Sequence, residues 1–344
     1  MARTSEPGTR RRPPGSTDVA RLAGVSQKTV SRVMNDEPHV TDEVRQRVLQ
    51  AAQQLGYRRN NAARALTSGR SNCIGVVSLG SALYGPATEL VALERAARRT
   101  GYAVSIVNTT SGDPGGIAGA IDTLLEQGVD AIVLSEPIDE GPVEVALQVP
   151  VLALGPAPGV TAPHVITSLG GIGTPPAYEA TEHLLSLGHR TVHHVAGPQP
   201  WFSARERVDG WRQALRAGGA VEPAVLAGDW SVASGYAAGR ALAADPAVTA
   251  VFAGNDDMAI GVIRAMVEAG RAVPDDVSVV GFDDIPIAAY LNPPLTTVLQ
   301  PFDEIVQAGI AALVQVLERP DDPAPDVTPP QCRLVVRSST APPR

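Results

Sequence analysis

Cysteine occurs only twice in the 344 residues, at Cys73 and Cys332. Two thiols so far apart exclude a disulfide scaffold and every CxxC-type zinc or redox motif. There is no run of about 18 apolar residues, so no membrane span is expected. Catalytic constellations are missing as well. There is no Ser/His/Asp order, no nucleophile elbow and no carboxylate pair in an acid/base setting, so no enzyme is expected. The glycine-rich stretch Gly170–Pro176 is neither GxGxxG nor GxxxxGK[ST], which leaves a phosphate loop poorly supported. His193 and His194 are adjacent on an expected strand, so they point to opposite faces and cannot easily hold one metal. They read as structural, and no metal and no cofactor are expected. Lysine occurs once, at Lys28, while arginine and alanine abound, a bias that points to a GC-rich genome. Arg10–Arg12 lack the apolar segment that an export signal needs next. Residues 1–15 read as a disordered basic arm, and a cytoplasmic location is expected.

What is present is ordinary globular composition, 44% apolar and 19% charged. The length suggests two or three domains and can bury a large core without covalent help. The net charge of −8 hides an asymmetry. Residues 1–70 hold thirteen Lys and Arg against six Asp and Glu, and the remainder holds fifteen against thirty. A basic head on an acidic body points to a polyanionic partner for the head alone.

Residues 16–57 read as three short helices. Val19, Ala20, Leu22 and Ala23 make one apolar turn, and Gly24 interrupts it. Ser26 can cap a second helix with Val30, Val33 and Met34 at helical spacing. Thr41 can cap a third, with Val44, Val48, Ala51, Ala52 and Leu55 inward and Gly56 as its stop. From residue 72, short β-rich runs alternate with alanine-rich helical runs. The strand candidates run from Ile74–Leu79 to Arg333–Val336. The helix candidates include Ala87–Thr100, Ala177–Leu187 and Met258–Ala269. Repeated βαβ units mean parallel sheets covered on both faces, and eleven strands suggest two sheets. The prolines at 286, 293, 294, 301 and from 320 to 330 read as late linkers rather than core.

The run Thr17–Asn35 is helix, glycine-containing turn, helix, the helix-turn-helix pattern. With Val30, Val33 and Met34 inward, Gln27, Lys28, Ser31 and Arg32 face outward at the start of the second helix. There they can enter a major groove and read base edges. Asn60 or Asn61 can cap a short helix through Leu66, too short to be stable alone in water. In the body, ligands of α/β lobes sit at the carboxyl ends of strands. Asn255, Asp256, Asp283, Asp284 and Trp230 follow expected strands, and Arg207 lies in the next helix after one. Carboxylates accept from vicinal hydroxyls, arginine donates in a fork and an indole offers a platform. The set suits a neutral polyhydroxylated ligand, a sugar. The plainer reading is that Asn and Asp after strands cap helices, that Trp230 is core and that Arg207 pairs with Glu206 or Asp209 at the surface.

Asp18–Asn35, Val40-Thr41, Leu55-Gly56-Tyr57, Ala63-Arg64 and Leu66 together resemble the LacI/GalR family of bacterial transcriptional repressors. So do Leu83 and Pro86, Ser203–Arg207 with Gly210-Trp211, Gly228–Ser231 and Asn255-Asp256 with Met258-Ala259. The resemblance spans residues 17–340. It implies an N-terminal all-α helix-turn-helix head (16–58) and a hinge helix and linker (59–71). It also implies a two-lobed, periplasmic-binding-protein-like α/β body (72–340) with parallel sheets. One lobe would comprise about 72–169 and 301–329, the other about 170–300 and 330–340. By the same resemblance, Gln27, Lys28 and Arg32 read bases, and Leu66 wedges between central base pairs of a pseudo-palindromic operator. Ser203, Arg207, Trp230, Asn255 and Asp283 would contact a galactoside-like inducer, with Leu83, Gly85, Pro86 and Phe302 along its apolar side. Asp257 and the stretch 170–176 depart from the family pattern near the ligand. A homodimer is expected, because palindrome readers pair and no leucine heptads follow Ser338. The competing expectation is a sugar-binding protein or enzyme with a non-functional basic tail.

Overall fold

The computed structural model describes residues 12, 14–34, 37–57, 69–109, 116–135, 138–139, 144–157, 159–168, 173–328 and 330–344. Most of the expected basic arm, Asn60 and Leu66 of the expected hinge, and Gly170–Ile172 lie outside them. The chain divides into two compact units, Met1–Ser71 and Asn72–Arg344.

The first unit holds α1 (Ser16–Ala23), α2 (Gln27–Met34) and α3 (Asp42–Leu55). Val19, Ala20, Val30, Val33, Val48, Ala51 and Ala52 are buried together, one stripe from each helix. Gly24 ends α1 at φ 65° and Gly56 ends α3 at φ 62°, a left-handed conformation that glycine adopts without a Cβ penalty. Ser26 Oγ accepts from Thr29 N at 3.1 Å, which starts α2 as its capping role requires. Thr41 differs from expectation. It stands at the N-cap of α3, yet its side chain makes no capping hydrogen bond. Asp42 and Glu43 in the first turn supply the favourable charge there.

The second unit opens with β1 (Cys73–Leu79), α4 (Tyr84–Arg99), β2 (Ala103–Thr109), α5 (Gly116–Glu126) and β3 (Ala131–Ser135). Then come β4 (Val145–Ala146), β5 (Val151–Ala153), β6 (Val160–Thr161), β7 (Val165–Thr167) and α6 (Thr174–Ser186). The chain continues through β8 (His193–Ala196), α7 (Phe202–Ala217), β9 (Leu226–Ala227), α8 (Val232–Ala243) and β10 (Ala250–Ala253). It ends with α9 (Asp256–Glu268), β11 (Ser278–Asp283), β12 (Thr296–Leu299), α10 (Phe302–Glu318) and β13 (Arg333–Val335).

One five-stranded sheet runs β2-β1-β3-β5-β7, all parallel, with Ile74 beside Ala131 and Ile132 beside Val151. A six-stranded sheet runs β13-β12-β11-β10-β8-β9 and is parallel except where β13 meets β12. The pair β4-β6, two residues per strand, was not expected from the sequence. Two apolar clusters flank each large sheet, so both faces of each are covered. The late segment holds a helix that the sequence candidates did not include. The prolines at 301 and 320 bracket α10, whose Val306, Ile310, Leu313, Val316 and Leu317 complete the core beside Ile74, Val76 and Leu93. Through α10 the chain returns from the second sheet to the first lobe, and β13 takes it back. Among the described residues no helix is long and apolar enough to cross a membrane.

Candidate functional site

Between the two sheets of the body lies a cleft of about 950 Å³, counting its open mouth. Leu83, Pro86, Ser203, Arg207, Trp230, Asn255, Asp283 and Phe302, scattered over 220 positions of sequence, all line it. The first lobe contributes the start of α4, with Leu83 at its N-cap, and the start of α10, where Phe302 is buried. The second lobe contributes α7, where Ser203 and Arg207 sit one turn apart on one face. It also contributes the carboxyl ends of β10 and β11, which deliver Asn255 and Asp283.

Arg207 anchors the second-lobe wall. Its side chain is 7% exposed and faces that of Asp283, 8% exposed, with Nη2 and Oδ1 3.5 Å apart. Nη1 donates to the Gly254 carbonyl, and the guanidinium lies 3.8 Å from the Phe282 ring centroid and 5.3 Å from that of Trp230. Gln300 Nε2 donates to Asp283 Oδ1 at 2.7 Å. Burial pushes the Asp283 carboxyl up to about 6 against the opposing pull of Arg207. Asn255 does two jobs. Its Oδ1 caps α9 by accepting from Met258 N at 2.9 Å, and its Nδ2 donates to the Trp230 carbonyl at 3.0 Å. That second bond holds Trp230 at φ 72°, a left-handed backbone rare outside glycine; Asp283 has φ 110°. A Cβ on Gly197 would sit 2.2 Å from the Trp230 ring, so glycine there lets the indole lie against β8. Two donors of this cluster stand out. Among the described residues, neither Nε of Arg207 nor Nε1 of Trp230 has a hydrogen-bond partner, although both are buried.

The structure separates other candidates from the cleft. Arg207 does not pair at the surface with Glu206 or Asp209. Asp256 is fully buried away from the lining, accepting from Thr297 Oγ1 at 2.6 Å and Ile285 N at 2.8 Å. Burial, with Asp283 nearby, raises its carboxyl to about 8. Asp284 is not a cap but pairs with Arg337 Nη2 at 2.7 Å. His194 is stacked on Phe252 and Trp211 and donates or accepts through Nδ1 at the Phe252 carbonyl, and burial lowers it to about 4. Among the described residues no cluster of metal-ligating side chains exists. The sequence reading missed Glu89, Ser135, Trp201 and Gln300, which also line the cleft. Glu89 had a signal: it is a carboxylate in register with the apolar stripe Ala92, Leu93, Ala96 and Ala97 of α4.

In the head, Gln27, Lys28, Ser31 and Arg32 form the exposed face of α2, opposite Val30 and Val33. Gln27 Nε2 donates to Ser16 Oγ at 2.8 Å, and Arg32 Nε lies 3.8 Å from Glu37.

Residues 17–60 match the bacterial regulatory proteins, lacI family, and residues 181–340 match the periplasmic binding protein-like domain. The chain is 34% identical over 310 residues to the lactose operon repressor of Escherichia coli K12, covering 87% of this chain and 83% of that one. It is 34% identical over 313 residues to the ribose operon repressor of the same strain, covering 88% and 93%. The chain belongs to the LacI family. The crystal structure of the Lac repressor dimer bound to operator and the anti-inducer ONPF is similar across 96% of this chain and 100% of that one. The TM-score is 0.80 at 31% identity. As a LacI-family member the chain is a DNA-binding transcription regulator, not an enzyme, and the helix-turn-helix and two-lobed body have the family's architecture.

Proposed function

We propose that this regulator is a cytoplasmic homodimeric repressor whose operator affinity is lowered by a sugar bound in the interlobe cleft. The pairing of Arg207 with Asp283 in the cleft lining, beside Trp230 and Asn255, carries the reading: a guanidinium donor and a carboxylate acceptor stand at one wall next to an indole. Asp283 supplies the complementary acceptor, and Trp230, Phe302 and Leu83 offer apolar surface to a ring face. Ser203 and Asn255 complete the polar lining and Pro86 the apolar side.

On the DNA side, Gln27, Lys28, Ser31 and Arg32 read base edges in the major groove. Asn60 and Leu66 lie outside the described residues; the family resemblance assigns Leu66 the wedge at the central base step and Asn60 a place in the hinge beside it. The effector acts by linkage: it favours the lobe arrangement that weakens operator contact, by no more than its affinity difference between the two arrangements. A galactoside is the first effector to try, since the lactose operon repressor is among the relatives; the ribose operon repressor keeps ribose in the panel. The test is binding to duplexes selected from a random library, across a salt series and then with added sugars. Steep salt dependence with release by one sugar supports the repressor. Tighter binding with sugar reverses the regulatory sign. The absence of any sequence-specific component overturns the DNA reading and leaves a sugar binder with an idle basic tail.

A further inference from the structure

The cleft has polar groups on its first-lobe side that the reading above does not use. Glu89, in the second turn of α4, is 8% exposed and lines the cleft. Its Oε1 accepts from Ser135 Oγ at the end of β3, and Ser135 lines the cleft too. No described ion pair includes Glu89, and the cleft's buried arginine, Arg207, is already matched to Asp283 on the other lobe. An apolar side chain in this stripe would pack without a desolvation cost, as Leu93 does one turn on. Packing therefore does not explain the carboxyl, whereas contact with a ligand does.

We infer that Glu89, positioned by Ser135, is a specificity-determining residue that hydrogen-bonds an effector hydroxyl presented to the first lobe. This deepens the proposed function and rests on a sugar occupying the cleft. The effector class narrows accordingly. It is a sugar hydroxylated on both lobe-facing sides, one side meeting Arg207 and Asp283 and the other Glu89. A glycoside that turns an alkyl or aryl group toward α4 buries Glu89 against hydrocarbon and binds poorly. Burial raises the Glu89 carboxyl to about 7, so near neutrality it is available as an acid that both donates and accepts, which suits a hydroxyl.

The experiment is calorimetric titration of the full chain with ribose, lactose, cellobiose and an aryl galactoside. It is followed by the single-deoxy analogues of whichever sugar binds. Wild type discriminates against one deoxy analogue by tenfold or more. Glu89→Leu removes that discrimination and weakens the parent sugar to the level of the analogue, while ranking the other analogues as wild type does. Glu89→Gln stays within a few-fold of wild type for the parent sugar. Ser135→Ala shrinks the same discrimination and serves if Glu89→Leu does not fold. The inference is overturned if these variants keep the wild-type ranking, if the aryl glycoside binds tighter than the free sugar, or if an amino sugar outbinds its parent through a charge pair. No binding of any sugar to wild type overturns the cleft reading itself, a separate outcome.

Discussion

Burying Arg207 against Asp283 takes two charges out of water, and the cost is offset only while both are present. Arg207→Ala leaves Asp283 buried beside Gln300 alone. It is expected to lower unfolding free energy by about 3–5 kcal/mol, read by urea titration at pH 7. Glu89 and Asp283 also give stability a pH dependence. Both folded carboxyls titrate above their ordinary values, near 7 and 6. At these carboxyls and at Asp256, near 8, the native chain holds protons that the unfolded chain has lost between about pH 4 and 8, and their contribution to stability falls as pH rises through that window, while His194, near 4, contributes in the opposite direction below about pH 6.5. Glu89→Gln removes the share of the fall that ends near pH 7. Its stability relative to wild type should rise between pH 5 and pH 8 by on the order of 3 kcal/mol, read from urea midpoints. Trp230, Asn255 and Asp283 were legible as polar or aromatic residues after expected strands, and Arg207 as a residue of the helix that follows one. Their partners were not. Asp283 and Asp284 are adjacent in sequence, yet one faces Arg207 in the cleft and the other faces Arg337. Their backbones at φ 110° and 53° turn the two side chains apart, which no residue pattern announces.

Elements with a clear period were read to within a residue or so, and those without were not. The first turns of α4 and α6 were missed because each contains proline: Pro86 in one, Pro175 and Pro176 in the other. Proline ends a helix in its interior but fits its first turn, where the backbone N–H has no helical partner. The same prejudice hid α10, bracketed by prolines at 301 and 320. Two element-scale predictions follow from local packing. Gly197→Ala at the end of β8 must push the Trp230 ring from its place. It should weaken sugar binding tenfold or more in calorimetry while the head keeps its operator affinity. On α2, Lys28→Ala should cost about 1–3 kcal/mol on the selected operator and relax preference at one base position, read by competition binding. An unchanged preference would move Lys28 to a phosphate.

At the scale of the body, the two lobes touch at the cleft mouth. Ile138 forms an antiparallel bridge with Trp201, Asp139 N donates to the Pro200 carbonyl at 2.8 Å, and Arg205 Nη2 reaches Asp139 Oδ2 at 2.9 Å. The ion pair is more than a third exposed on each side, so its worth is small. Arg205→Ala should therefore speed sugar release by less than about fivefold in stopped-flow measurements. A larger effect would make this contact the gate. The sequence by itself determined the helical head, the alternation that makes two parallel sheets, the charge division and the residues of the family resemblance. Each of these is a local pattern of period, cap or composition. Only the tertiary structure decided that Asp256 is buried on Thr297 and that Glu89 meets Ser135 at the cleft. Those facts depend on which distant segments share a wall, and burial and pairing across 40 or more residues leave no periodic trace in the chain.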